Sequence, residues 1–152
     1  MASGQDITIT ISGLDKTERT LRGAKRAVEN LQPAMSEVGT YLARFFSSQV
    51  FASRGGIIGE PWQSLSARYA AYKAKRYPGR PPLVRTGLMQ RSFISNSGAS
   101  FARVSNSAPY FDYHQLGGSK VPERVMMKVD ETRGREIVGI VERYLAAQIG
   151  AA

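Results

Sequence analysis

The chain has 152 residues, 42% of them hydrophobic and 22% charged, with no cysteine and one histidine, His114. Without thiols there is no disulfide, thiolate zinc site, iron–sulfur cluster or cysteine nucleophile, and one imidazole excludes a histidine-rich metal centre. The size and apolar content suit one globular domain, 1–152, burying about two-thirds of its unfolded surface. The first residues, Met1 to Asp6, have neither the basic nor the apolar region of a secretory signal. The longest aliphatic run, Ile137 to Val141, is far too short to span a bilayer. The expectation is a soluble, non-secreted protein with no membrane partner.

The net charge of +9 is unevenly placed. Between Pro61 and Phe111 lie eight basic residues, Arg68, Lys73, Lys75, Arg76, Arg80, Arg85, Arg91 and Arg103, and no acid. The rest of the chain is nearly balanced, with 13 basic and 12 acidic residues. A segment of this kind either meets a polyanion or an acidic protein surface, or is simply a solvated face.

In chain order, Ile7, Ile9 and Ile11 alternate with Thr8, Thr10 and Ser12, which predicts a strand with one buried face. Gly13 breaks it and Asp15 can cap a helix over Lys16 to Leu31. Gln32-Pro33 interrupts, and a second helix is expected from Pro33 to Val50, carrying Met35, Val38, Leu42, Phe45 and Phe46 at helical spacing. Residues 52–61 form a loop with three glycines, in which Ile57-Ile58 is unexpectedly apolar. After Trp62, Ser64 or Ser66 can cap a short helix to Arg76, which Tyr77-Pro78-Gly79-Arg80-Pro81-Pro82 ends. Thr86 can cap a further turn, Gly87 to Ser92. Phe93–Asn96 and Phe101–Ser105 read as a hairpin, Tyr110 to Leu116 as a turn of helix closed by Gly117, and Val125 to Val129 as a strand. Asp130 caps a last helix with Ile137, Ile140, Val141, Tyr144 and Leu145 as its buried stripe. The expected fold is α+β: an antiparallel sheet of about four strands against two long helices and a C-terminal helix.

No catalytic constellation emerges. Asp112 and His114 stand two apart in one element, where they do not face each other, and there is no Gly-x-Ser-x-Gly elbow. Arg54-Gly55-Gly56 lacks the continuation of a P-loop. No paired carboxylates or metal-ligand cluster appears, so no enzyme, metal or cofactor is expected. Tyr69, Tyr72, Tyr77 and Phe93 interleave with the basic residues as in nucleic-acid binders. Yet Tyr69 and Tyr72 share helical spacing with Leu65, which reads as a packed stripe, leaving only nonspecific attraction to DNA.

The central and late residues do form an ordered pattern. It runs Trp62-Gln63-Ser64-Leu65-Ser66, Tyr72-Lys73, then Pro82-Leu83-Val84-Arg85-Thr86-Gly87-Leu88-Met89-Gln90-Arg91-Ser92-Phe93. After the hairpin come Ala108-Pro109-Tyr110-Phe111-Asp112-Tyr113-His114-Gln115-Leu116-Gly117-Gly118 and Val121-Pro122-Glu123-Arg124-Val125-Met126-Met127. Over roughly residues 35–148 this resembles the virion-morphogenesis and tail-completion proteins of long-tailed bacteriophages. The resemblance implies a non-enzymatic virion protein, assembled in the host cytoplasm, that completes the tail and joins it to the DNA-filled head at the neck. It implies a homo-oligomeric ring of six or twelve copies touching connector, terminator and tube proteins, with weak DNA contact possible. Ring subunits need surfaces that reach neighbours. Loops 52–61 and 77–82 are the expected arms, and Ile57, Ile58, Trp62, Lys73, Lys75, Arg76, Arg80, Arg85 and Arg91 the candidate interface. The competing readings are a tail terminator capping the tube and a small basic nucleic-acid-binding protein.

Overall fold

The computed structural model describes residues 4–11 and 25–150. Strands β1 (Asp6–Thr10), β2 (Phe93–Ser97) and β3 (Phe101–Asn106) form one antiparallel sheet in the order β1-β3-β2. The α-helices are α1 (Lys25–Glu29), α2 (Gln32–Phe45), α3 (Ala67–Arg76), α4 (Leu88–Arg91), α5 (Phe111–Leu116) and α6 (Glu131–Gly150). The chain divides into two compact units. Unit A comprises residues 6–43, 95–104 and 129–152; unit B comprises residues 1–5, 44–94 and 105–128. β2, β3 and α2 contribute residues to both.

In unit A the core is aliphatic: Val28, Leu31, Met35, Val38, Leu42, Ala102, Val104, Ile137, Ile140 and Val141 are buried. Asn30 breaks the helix before α2, its Oδ1 accepting from Gln32 N at 3.1 Å. Leu31 N then donates to Ala99 O at 3.0 Å, tying this break to the hairpin turn. Alternation along β3 turns Ala102 and Val104 inward. On the other face Arg103 Nε reaches Thr8 Oγ1 at 3.1 Å and Asp6 Oδ2 at 3.2 Å. Asp130 Oδ1 accepts from Arg133 N, so α6 starts on the cap its sequence announces.

The core of unit B is aromatic. Phe93 packs against Phe46, Phe51 and Phe111 with ring centroids 6.1, 6.3 and 5.8 Å away, and Phe51 meets Trp62 edge-on at 5.2 Å. The run expected to continue α2 to Val50 widens instead into a π-helical turn, Phe46–Val50. Ser47 and Ser48 both donate side-chain hydrogen bonds to Arg44 O there, competing with the backbone ladder. The wider turn lets Phe45, Phe46, Val50 and Phe51 all be buried. Gly55 has φ 79°, and a Cβ on it would lie 2.1 Å from Glu60 O, so only glycine closes this loop.

Two expectations need correction. The sheet has three strands, not about four, because Val125 to Val129 forms none. Its backbone is held by side chains instead. Gln115 Oε1 accepts from Met126 N and Met127 N at 2.8 and 3.1 Å, and Gln115 Nε2 donates to Met127 O at 2.9 Å. Trp62 Nε1 donates to Val125 O at 2.8 Å. Consecutive burial of Met126 and Met127 also departs from strand alternation. The second expected long helix is not α-helical throughout: it passes from α to π geometry after Phe45, at Phe46–Val50, and most of the first, including Gly13 and Asp15, lies outside the described residues. Among the described residues the longest wholly α-helical element is α6, with 20 residues.

Candidate partner-binding surface

The two units differ sharply in charge. Unit A contains nine basic and nine acidic residues, whereas unit B contains twelve basic and three acidic ones. The whole net charge of +9 therefore belongs to unit B. Unit B also carries nearly all the exposed large apolar side chains: Ile57, Tyr69, Tyr72, Leu88, Ile94, Tyr110, Tyr113 and Leu116, against Val138 alone among the described residues of unit A.

The candidate residues separate into two groups. Ile58, Trp62 and Lys73 serve the interior of the chain. Ile58 is buried beneath the Gly56–Ile58 turn, leaving Ile57 exposed. Trp62 is half-buried and bonded to Val125 O. Lys73 is only 4% exposed, with its Nζ donating to Pro81 O. Burial and, secondarily, the nearby Arg124 push its pKa down.

Lys75, Arg76, Arg80, Arg85 and Arg91 are exposed, as is Ile57. Ser66 Oγ caps α3 by accepting from Tyr69 N, and α3 then carries Lys75 and Arg76 in its last turn. Arg85 Nε donates to Tyr77 Oη at 2.9 Å, and its guanidinium sits 5.0 Å from the Tyr77 ring centre. That hydrogen bond is the main cause of its raised pKa. Arg91 Nη1 donates to Thr86 O at 3.1 Å, which holds one end of its guanidinium while the side chain stays exposed.

Tyr69 and Tyr72 overturn the expected packed stripe. They are 41% and 52% exposed, with rings 6.0 Å apart. The side of α3 that turns inward carries the stem of Lys73, and the tyrosines face outward.

Sequence reasoning missed a groove in unit B. One cavity of about 390 Å³ contains Arg85, Leu88 and Tyr110 in its wall, and another of about 780 Å³ contains Leu65, Lys120, Val121 and Arg124. Tyr69, Leu83 and His114 line both. Leu83 is held there with φ 62°, a strained conformation for a residue with a Cβ. Arg124 is 5% exposed, its Nε and Nη2 donating to Gln63 O at 2.8 Å and Ser64 O at 3.2 Å. His114 meets Tyr110 edge-on, while its Nδ1 is buried without a hydrogen-bond partner. Burial, and then the charge of Arg124, lower its pKa. Asp112 does not turn toward His114 but accepts from Gln5 N at 2.8 Å. Among the described residues no group of three His, Asp or Glu side chains is placed to hold a metal ion. No helix among them is long and apolar enough to cross a membrane.

Residues 13–146 match the model of the phage virion morphogenesis family. The chain belongs to that family. No curated protein and no solved structure matches it. Every piece of the virion-morphogenesis pattern, from Trp62 to Met127, falls in unit B, and the pieces hold one another. Trp62 bonds Val125, Lys73 bonds Pro81, Arg124 bonds Gln63 and Ser64, and Gln115 bonds Met126 and Met127. Gly117 closes α5 with φ 68°, where a Cβ would come within 2.6 Å of Glu123 N. Trp62, Lys73, Gln115 and Arg124 of the motif are therefore part of the internal frame of unit B, while Tyr72, Arg85, Leu88, Arg91, Tyr113 and Leu116 of the same motif pieces are exposed.

Proposed function

We propose that this phage virion morphogenesis protein is a structural part of the neck or upper tail, completing the tail and helping to join it to the DNA-filled head. It acts as a ring of identical subunits, six or twelve in number, assembled in the host cytoplasm and retained in the virion. Its role is mechanical rather than catalytic. The observation that carries this reading is the concentration of all the net charge, and nearly all the exposed apolar side chains, on the motif-bearing unit B. A surface both basic and apolar suits docking to acidic proteins, with apolar contacts giving stability and charge giving steering. Lys75, Arg76, Arg80, Arg85 and Arg91 supply the charge, and Ile57 with the loop at 77–82 extends the reach. Connector, terminator and tube proteins are the proposed neighbours.

Electron microscopy of a lysate from a phage lacking only this gene tests the proposal. Filled heads beside unjoined tails are expected. Overlong or absent tails would transfer the protein to a terminator role, and intact virions would remove it from joining altogether.

A second reading rests on the outward-facing Tyr69 and Tyr72 beside Lys75 and Arg76, since stacked aromatics next to cations can hold single-stranded nucleic acid. It requires DNA affinity that falls steeply with salt. A passage for DNA favours weak phosphate contact, so a protein partner is the preferred reading.

A further inference from the structure

Arg124 is a buried cation in a wall that supplies no anion. Its hydrogen bonds go to two neutral carbonyls, and no carboxylate of the described residues pairs with it. Glu123, its neighbour in sequence, is exposed and lines neither cavity. A buried guanidinium left with carbonyls alone is costly, and an incoming carboxylate would relieve that cost. The remaining polar groups point the same way. Arg85 and Lys120 stand one in each wall, no acidic side chain lines either cavity, and His114 lines both. Leu83 and Tyr69 supply an apolar floor common to both cavities.

We infer that this groove binds an acidic segment of another protein of the particle, one that alternates carboxylate with apolar side chains. Two cavities that share Tyr69, Leu83 and His114 suit successive side chains of an extended chain, which presents them at a regular spacing. A carboxylate enters toward Arg124, a second meets Arg85 or Lys120 at the rim, and an apolar residue lies over Leu83. The occupant is a different protein rather than a second copy. Unit B of a second copy carries the whole +9 and is repelled from the groove, and in unit A Asp6, Glu29, Glu37, Asp130 and Glu131 are already paired with cations of their own copy. An acidic occupant also offsets that repulsion within a ring. The inference rests on the proposal that unit B meets acidic protein neighbours, and narrows it to one site and one ligand chemistry.

The test uses the full chain and an array of labelled decapeptides combining Glu with Leu or Tyr at every spacing, each paired with its Gln counterpart. Fluorescence anisotropy at physiological salt is the readout. The best Glu peptides should bind roughly tenfold or more tighter than their Gln counterparts, as expected for charge-assisted hydrogen bonds. Tyr69→Ala should weaken Glu and Gln peptides alike, and Lys120→Glu should abolish the preference, neither change, both being at exposed positions, lowering the thermal midpoint. Arg124→Gln should also abolish the preference, and the two surface variants keep the test valid if it fails to fold. Bound peptide should also raise the pKa of His114 in an NMR titration. Equal binding of Glu and Gln peptides at every spacing, or displacement of the best peptide by an oligonucleotide of equal charge, overturns the inference. If a phage lacking the gene fails to join heads to tails, but the Tyr69→Ala, Lys120→Glu double variant restores joining in full, the groove is wrong and the neck role stands. Normal joining without the gene removes the neck role instead.

Discussion

Unit A and unit B are built from the same chain by different means. Unit A is neutral, with an aliphatic core and charges that pair with each other: Arg103 with Asp6, Arg133 with Asp130, Arg143 with Glu37 and Arg135 with Glu131. Unit B has an aromatic core, long irregular segments pinned by single side chains, and cations that mostly lack acidic partners. Among its described residues Lys128 alone makes an ion pair, with Glu60. Paired charges and covered apolar surface describe a scaffold. Unpaired charges and uncovered tyrosines describe a surface awaiting something else. The contrast supports the proposal that unit B makes the partner contacts and unit A supports it.

The strongest way to test that contrast is to damage each core. Phe46→Ala should cost about 3–5 kcal/mol and Leu42→Ala about 2–5 kcal/mol, both side chains being fully buried. Urea denaturation of each variant measures this. A cost under about 1 kcal/mol for either would deny that unit a packed core.

Next is the pinning of the irregular segment. Gln115→Leu keeps the bulk but removes three hydrogen bonds to Met126 and Met127. It should cost about 2–3 kcal/mol, because the freed amides are part-buried and find no other partner. An unchanged midpoint would mean that packing of the methionines alone holds this segment.

The pH response should come from unit B, which holds the only histidine. Burial and Arg124 depress the pKa of His114 below its ordinary 6.5, so protonation is harder in the folded than in the unfolded chain. Its contribution is whole above about pH 6.5 and is lost as the pH falls through 6.5 toward the folded pKa. The denaturation midpoint should therefore drop between pH 7.5 and 5.5, and His114→Gln should flatten that slope. A steeper slope in the variant would contradict the assignment.

The smallest effect on stability should come from the exposed cations. Changing Lys75, Arg76 and Arg80 to glutamine in unit B, or Arg135 and Arg143 in unit A, should shift folding by only about 0.5 kcal/mol per residue or less. A large loss in the first set would show that these cations hold the fold rather than greet a partner.

Much of this architecture was legible because its signals are local. Ser66 and Asp130 cap the helices they precede, the hairpin turns at Gly98 to Ser100, and a helix break is present, at Asn30-Leu31, two residues before the expected Gln32-Pro33. The strand expected at Val125 to Val129 was misread because its hydrogen bonds come from Gln115 and Trp62, far away in sequence. Tyr69 and Tyr72 were misread because helical spacing states which residues share a face, not which face is buried. The basic segment was visible as a run without acids. The groove was not, since Tyr69, Leu83, His114 and Arg124 meet only through the fold. The one available signal was Arg124 itself, a cation inside the Val121 to Met127 piece of the family pattern.

The most direct measurement complements a phage lacking this gene with two variants of equal stability and inspects the lysates by electron microscopy. One neutralises Lys75, Arg76 and Arg80 in unit B; the other neutralises Arg135 and Arg143 in unit A. Unjoined tails beside filled heads with the first, and complete virions with the second, are the result expected if unit B makes the joining contacts. Complete virions with the first variant, or failure with the second alone, would contradict that account.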